Sequence, residues 1–296
     1  MIQAQFTRDL GASGLNVSPL GGGTNSWVYG KNDTAVLETY KATIEAGIKL
    51  FDTAEVYGFG KSERLLGECL KQSEHRPVIA SKYAPFPTRQ LNKALDGSLS
   101  RLGLTTLDLY FVHFPFSNIE GLMDQMAAAV QEGKIRAVGV SNFSADQMRR
   151  AADRLARYDI PLTANEVQYH LLHRQPEING ILDVCRELNV ALIAYTPLSS
   201  GRLKINQSQQ PQNSSFSYPK KKHPELQETL LEIAASREKS ISQVMLNWLL
   251  CRDEHIIPIP GTTSKAHAKD NAEAMYWKLN DEEFSAIDQA SSPQKP

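Results

Sequence analysis

Gly133-Lys134-Ile135-Arg136-Ala137-Val138-Gly139-Val140-Ser141-Asn142 is the stretch on which the fold turns. A glycine suited to ending a helix precedes a short run of β-branched and small apolar residues. The run finishes on two side chains able to hydrogen-bond. Upstream, Leu122, Met126 and Val130 recur at helical spacing. The segment therefore reads as a helix, a tight turn and a strand buried on both faces, the unit of a parallel sheet.

The format repeats in both directions. Ile48-Lys49-Leu50-Phe51 ends in Asp52, Pro77-Val78-Ile79-Ala80 leads to Ser81-Lys82, and Leu107 to Val112 ends in His113. Leu162 to Val167 ends in Gln168, Val190 to Ala194 in Tyr195, and Ile256 to Ile259 in Pro260-Gly261. Val17 to Leu20 supplies an eighth strand. Helical patterns lie between them: Leu37, Tyr40 and Ile44 after a cap at Asp33, Ser62 to Leu70, Leu91 to Leu102, Pro224 to Ala235 and Ile241 to Leu250. Gly47 and Asn189 stand before their strands as Gly133 does. Eight alternating units predict either a (β/α)8 TIM barrel or a large doubly wound sheet. Polar and titratable residues sit at the ends of many strands, and a closed barrel gathers all those ends on one face, so the α/β barrel is the expectation.

Two segments fall outside the repeat. Phe6 to Val17 predicts an N-terminal β-hairpin plugging the barrel bottom. Residues 205–223, rich in Gln, Ser, Asn and Lys, predict a polar loop placed where a lid would be. No linker composition divides the chain, so residues 1–296 are expected to form one barrel domain with extra C-terminal helical segments.

Composition narrows the function. The 296 residues are 41% hydrophobic and 22% charged, which excludes a disordered chain, a collagen and a coiled coil. Lys+Arg number 32 against 33 Asp+Glu, a net charge of −1 that argues against nucleic acid or a membrane surface as partner. Lys220, Lys221 and Lys222 read as a solvated loop tip. No apolar stretch is long enough to span a bilayer and no signal-peptide pattern opens the chain. Three separated cysteines, Cys69, Cys185 and Cys251, suit a reducing compartment, so a cytoplasmic location is expected. His170 and His173 lack further ligands at metal spacing, and no metal is expected. The oligomeric state is not legible.

Four strand-end residues carry the chemistry: Asp52, Tyr57 just beyond it, Lys82 and His113. Each alone has an ordinary structural reading, as a turn cap, packing, a surface charge or a core histidine. Together they make a proton donor. A nearby ammonium favours a phenolate and lowers the tyrosine pKa, a carboxylate holds the ammonium, and a histidine orients a carbonyl oxygen. Such a site protonates an oxygen that gains charge, as carbonyl reduction by hydride requires.

These residues lie in Phe51-Asp52-Thr53-Ala54-Glu55-Val56-Tyr57-Gly58, Ala80-Ser81-Lys82, Ser98-Leu99-Ser100-Arg101-Leu102-Gly103, Leu107 to His113, Gly133 to Phe143 and Ile259-Pro260-Gly261-Thr262-Thr263-Ser264. In that order, over nearly the whole chain, the sequence resembles the aldo-keto reductase family. The resemblance implies a TIM barrel and NADPH-dependent reduction of an aldehyde or ketone, with Tyr57 as general acid and Asp52, Lys82 and His113 completing a tetrad. It implies that Ser141, Asn142 and Gln168 hold the nicotinamide carboxamide and that Tyr195 stacks on the ring. Thr196, Pro197, Leu198, Ser200, Gly201 and Leu203 would cover the pyrophosphate. Gly261, Thr262, Thr263, Ser264, Lys265, His267, Asp270 and Asn271 would form the adenosine and 2′-phosphate site at a helix start. Gly23, Thr24, Asn25 and Asp52 would line the groove as well. Many members carry Arg at the position of His267, and some carry Lys at that of Gly261. Neutral His grips a phosphate less well than guanidinium, so NADH stays open beside NADPH. Trp27, Phe59, Phe86, Phe114 and Phe116 follow strand ends and are candidates for an apolar pocket that takes a small-molecule carbonyl substrate. A nucleotide-binding regulatory subunit acting through a protein partner is the alternative use of the same fold, and a barrel hydrolase or aldolase with Lys82 as a Schiff base is a third.

Overall fold

The computed structural model describes residues 7–30, 32–85, 90–203 and 223–292. A hairpin of β1 (Arg8–Asp9) and β2 (Asn16–Val17) comes first. Eight parallel strands follow: β3 (Gly22–Gly23), β4 (Leu50–Asp52), β5 (Val78–Tyr83), β6 (Leu107–Val112), β7 (Ile135–Ser141), β8 (Leu162–Gln168), β9 (Ala191–Tyr195) and β10 (Ile256–Pro258). Their order in the sheet is their order in the chain. The barrel closes between its first and last strands. Gly21 N–H donates to Pro258 O at 2.9 Å, Gly23 N–H donates to Pro260 O at 3.2 Å, and Gly23 bridges Gly261. Around the strands run α1 (Asp33–Glu45), α2 (Lys61–Lys71), α3 (Leu91–Leu102), α4 (Ile119–Gln131), α5 (Ala145–Ala156), α6 (Gln175–Ile178), α7 (Ile181–Leu188), α8 (Pro224–Ser236), α9 (Ile241–Arg252), α10 (Lys265–Glu273) and α11 (Asp281–Ala290). None of the described helices is long and apolar enough to cross a membrane.

Strand side chains alternate between faces, and this parity positions the site. Leu50, Ala80, Leu109, Phe111, Ala137, Ala164, Ala191 and Ile193 pack together inside the barrel. Two residues further along the same parity lie Asp52, Lys82, His113, Glu166 and Tyr195, all at the C-terminal mouth. The opposite parity, with Phe51, Ile79, Tyr110 and Val138, packs against the helices.

The hairpin plugs the other end, as expected. Leu10 and Val17 join the barrel-interior cluster. Arg8 donates to the carbonyls of Leu250 (2.7 Å) and Asp253 (3.1 Å), left open at the end of α9, and to that of Ile256 in β10. Gly11 makes this seat: its φ is +53°, and a Cβ there would stand 2.2 Å from Thr163 O.

Two expectations need correction. Val17 to Leu20 is not the first barrel strand. Val17 pairs with Arg8 in the hairpin, and the strand is Gly22–Gly23, whose lack of side chains leaves no apolar pattern to read. The cap of α1 is Asn32, whose side chain accepts from Ala35 N–H, and Asp33 is the first helical residue. The helix ends at Gly47, Gly133 and Asn189 do take left-handed φ values of 89°, 71° and 49°. The lid expected over 205–223 lies outside the described residues except for His223, and Phe86 lies outside them too.

Candidate active site

The ammonium of Lys82 is the centre of the mouth. It is 0% exposed and bonds both oxygens of Asp52 at 2.6 Å, Thr53 O at 3.0 Å and Tyr57 Oη at 3.2 Å. The Tyr57 and His113 rings meet edge to face with centroids 6.0 Å apart. The four strand-end residues chosen from the sequence are therefore brought together.

Residues with no evident chemistry hold them there. Ser81, beside Lys82, donates to Glu63 Oε1 at 2.6 Å, and Arg101 donates to Glu63 Oε2 at 2.6 Å. This buried relay ties β5 to α2 and α3. Glu55 accepts from Ala84 N–H at 2.9 Å and fixes the end of β5. The sequence reading passed over Glu63 and Glu55. A carboxylate embedded in a run of buried apolar helix positions was the available signal for Glu63.

A second carboxylate was also missed. Glu166 of β8 is 2% exposed, and its Oε2 stands 3.3 Å from Lys82 Nζ. Two acids thus share one ammonium. The inward parity of Ala164, Glu166 and Gln168 was the signal that could have found it.

Burial decides the charges. It raises Tyr57 above its ordinary value, and Lys82, which lowers it, does not win. The expectation of a tyrosine made more acidic by its lysine is thus reversed, because desolvation of a phenolate outweighs one ammonium already bound to a carboxylate. Burial pulls Lys82 down, but Asp52 and then Glu166 carry it above the usual lysine range, so it stays charged. Burial, then the Lys82 charge, depresses His113 to about 3. His113 is therefore a neutral imidazole. Its Nδ1 is buried without a hydrogen-bond partner. Leaving a lone pair there costs less than leaving an N–H, so the proton sits on Nε2. With that proton His113 can donate a hydrogen bond at the mouth.

The groove expected to take the cofactor is built from the neighbouring loops. Asn142, at φ 61°, donates from Nδ2 to His113 O (3.2 Å) and Ser141 Oγ (3.0 Å) and accepts from Tyr195 Oη (3.0 Å). Ser141 donates to Glu166 O. The Gln168 amide lies 3.1 Å from His170 Nε2. Thr196, Ser199 and Ser200 all have φ between 51° and 53°. Left-handed backbone at a β-branched residue and two serines is strain concentrated at one loop. Pro197 and Leu203 are buried beneath it. Across the groove, Ser264 caps α10, and Lys265 and His267 are exposed in its first turn. Thr262 Oγ1 accepts from Ser264 N–H, and Thr263 is exposed beside it. Asn25 is exposed, while Thr24 is buried with its hydroxyl on Asp52 O. Asn271 lines a small pocket with Gly21, Gly23, Thr39 and Phe51. Asp270 faces away: Ser240 Oγ and Gln243 Nε2 of α9 occupy its oxygens.

The aromatic candidates divide. Phe114 stacks on His113 with centroids 4.4 Å apart, and with Phe59 and Phe116 it is exposed. Trp27 is buried, packs on Phe51 and donates to Thr262 O at 2.9 Å. It is a core residue that holds the α10 loop rather than a wall of the mouth.

Similarity to known proteins follows the same outline. The Aldo/keto reductase family profile matches residues 19–292. The chain is 34% identical over 308 residues to the chloroplastic pyridoxal reductase of Arabidopsis thaliana, covering 94% of this chain and 84% of that protein. It is 33% identical over 276 residues to an NADP(+) aldo-keto reductase of Schizosaccharomyces pombe, covering 83% of this chain and 79% of that one. A crystal structure of an aldo/keto reductase from Klebsiella pneumoniae with NADP and acetate superimposes with a TM-score of 0.81 at 28% identity, covering 98% and 96% of the two chains. With the barrel, the buried lysine at its mouth and these matches in agreement, the chain belongs to the aldo/keto reductase family.

Proposed function

We propose that this protein reduces an aldehyde or ketone to an alcohol, with NADPH as the reductant and Tyr57 as the general acid. The observation that carries the reading is the phenol of Tyr57 lying 3.2 Å from a fully buried Lys82 that Asp52 clamps. A phenol kept protonated by burial has a proton to give. A cation beside it stabilises the phenolate left behind. Neutral His113 offers a fixed donor on the other side of the reacting oxygen. Both groups favour charge on an oxygen only as that charge develops.

The groove fits a dinucleotide on its own features. Ser26 Oγ, beside Gly261, and Ser199 Oγ, in the loop after β9, are buried without partners. The first turn of α10 presents open backbone N–H groups to an anion, with Lys265 and His267 beside them. Ser141, Asn142 and Gln168 would hold the carboxamide, Tyr195 the ring face, and the Thr196–Leu203 loop the pyrophosphate. Bound there, the reduced nicotinamide supplies the hydride. NADPH is the form favoured by the NADP-bound Klebsiella pneumoniae structure, by the NADP(+) Schizosaccharomyces pombe relative and by Lys265 at the start of α10.

The exposed rings of Phe59, Phe114 and Phe116 favour a small carbonyl compound with an apolar or aromatic body. The test is oxidation of NADPH and of NADH with a panel of aldehydes, ketones and pyridoxal. Turnover with a higher kcat/KM for NADPH is expected. Preference for NADH contradicts the cofactor reading, and no turnover on the panel contradicts the enzyme reading.

A further inference from the structure

We propose that Glu166 is a positioning residue for the proton of Tyr57: protonated, it leaves the buried Asp52–Lys82 pair neutral, and ionised, it adds a negative charge behind the phenol and slows its proton transfer. This inference rests on Tyr57 being the acid, as proposed above.

Geometry carries it. Lys82 has three N–H bonds, and they are taken by Asp52, Thr53 O and Tyr57 Oη at 3.2 Å or less. Glu166 Oε2 is left at 3.3 Å, buried and without a hydrogen bond. A buried carboxylate whose nearest cation is already bound by another carboxylate is poorly compensated and takes up a proton instead. The Asp52 and Glu166 carboxyls face the same ammonium, at 2.6 and 3.3 Å. Burial raises Asp52 as well, against the pull of Lys82, but Asp52 receives the ammonium on both oxygens at 2.6 Å while Glu166 stands off at 3.3 Å, so of the two it is Asp52 that keeps the charge. Glu166 then holds the proton. The charged and titratable groups around it are Asp52 of β4, Lys82 of β5, and beyond them Tyr57 and His113. Its sheet neighbours β7 and β9 bring Ser141, Asn142 and Tyr195.

The consequence has a definite sign. Burial, reinforced by the charge of Asp52 and opposed by Lys82, pushes Glu166 up to about 8. Below that pH the cluster of Asp52, Lys82 and Glu166 is neutral. Above it the cluster carries −1, and negative charge on Glu166 opposes a phenolate at Tyr57. During reduction Tyr57 becomes a phenolate as it releases its proton, so reduction slows as Glu166 ionises. A like charge at this range shifts a neighbour by about one pKa unit or more, which sets a loss of about tenfold on full ionisation.

Two measurements test this. The first is infrared titration of the wild-type protein, which needs no substrate. A protonated-carboxyl band is expected at pH 7, lost by pH 9.5 and missing from Glu166→Gln; no such band at pH 7 overturns the proposal. If E166Q does not fold, the wild-type titration is read alone. The second is the ratio of kcat for reduction at pH 9 to that at pH 7. It is expected to fall about fivefold in the wild type and less than about twofold in E166Q. The same fall in both proteins confines Glu166 to structure and overturns the proposal. A wild type that keeps the band but reduces no carbonyl overturns the reading of Tyr57 instead.

Discussion

Replacing Lys82 with Met tests the charge arrangement of the barrel mouth through stability alone. The side chain is 0% exposed, and its ammonium makes two 2.6 Å bonds to Asp52. Met has a similar length, so little packing is lost, but Asp52 is left buried with no cation. Such a carboxylate neutralises itself. An aspartate that ionises at about 3.9 in the unfolded chain and must stay protonated in the fold costs about 1.36 kcal/mol per pH unit above that value. The loss is therefore about 4 kcal/mol at pH 7 and about 1.5 kcal/mol at pH 5, in line with the roughly 3–5 kcal/mol of breaking a buried pair. The sign is fixed: the folded variant binds a proton that the unfolded chain has released, so its stability falls as pH rises. At roughly 0.6 kcal/mol per degree for a chain of this size, Tm should drop about 6–7 °C at pH 7 and about 2–3 °C at pH 5. Thermal and urea unfolding of wild type and K82M at both pH values measure this. A loss under about 1 kcal/mol at pH 7, or equal losses at the two pH values, would refute the reasoning.

Two other outcomes follow from the same structure. Because burial holds His113 neutral down to about 3, kcat/KM for reduction should show no limb from a histidine between pH 5 and 7; an acid limb in that range that His113→Gln abolishes sinks the assignment. Gly11→Ala places a Cβ 2.2 Å from Thr163 O at φ +53°, whereas Gly14 at φ +72° has nothing within 4 Å, so G11A should lose about 3 kcal/mol and G14A about 1–2 kcal/mol in urea unfolding, and equal losses would show that the hairpin does not seat on β8.

The readable parts of the chain are those where local signals agree. Leu122, Met126 and Val130 followed by Gly133 announced α4 and its end, because helical period and a left-handed stop coincide. Asp52, Lys82 and His113 were visible because a polar residue ending an apolar run has few structural reasons to be there. The first barrel strand was not, because Gly22 and Gly23 carry no side chains and Val17 to Leu20 offered a better apolar run nearby. Glu166 was less visible because it lies inside its strand rather than at the end of the apolar run, so only its parity with Gln168 marks it. Trp27 follows a strand, as a pocket residue would, but its orientation toward Phe51 depends on how α1 and β4 pack. The acidity of Tyr57 is hidden from the sequence for a related reason. The identity of the neighbouring lysine is in the sequence, but the depth of burial that outweighs it is a property of the closed mouth.

The central claim is that Tyr57 gives the proton in carbonyl reduction. It is tested most directly by steady-state reduction with NADPH in wild type and Tyr57→Phe, with cofactor affinity followed separately by fluorescence. The account predicts that Y57F binds NADPH as the wild type does while kcat falls by about 10²–10⁴. Equal turnover by the two proteins would contradict it.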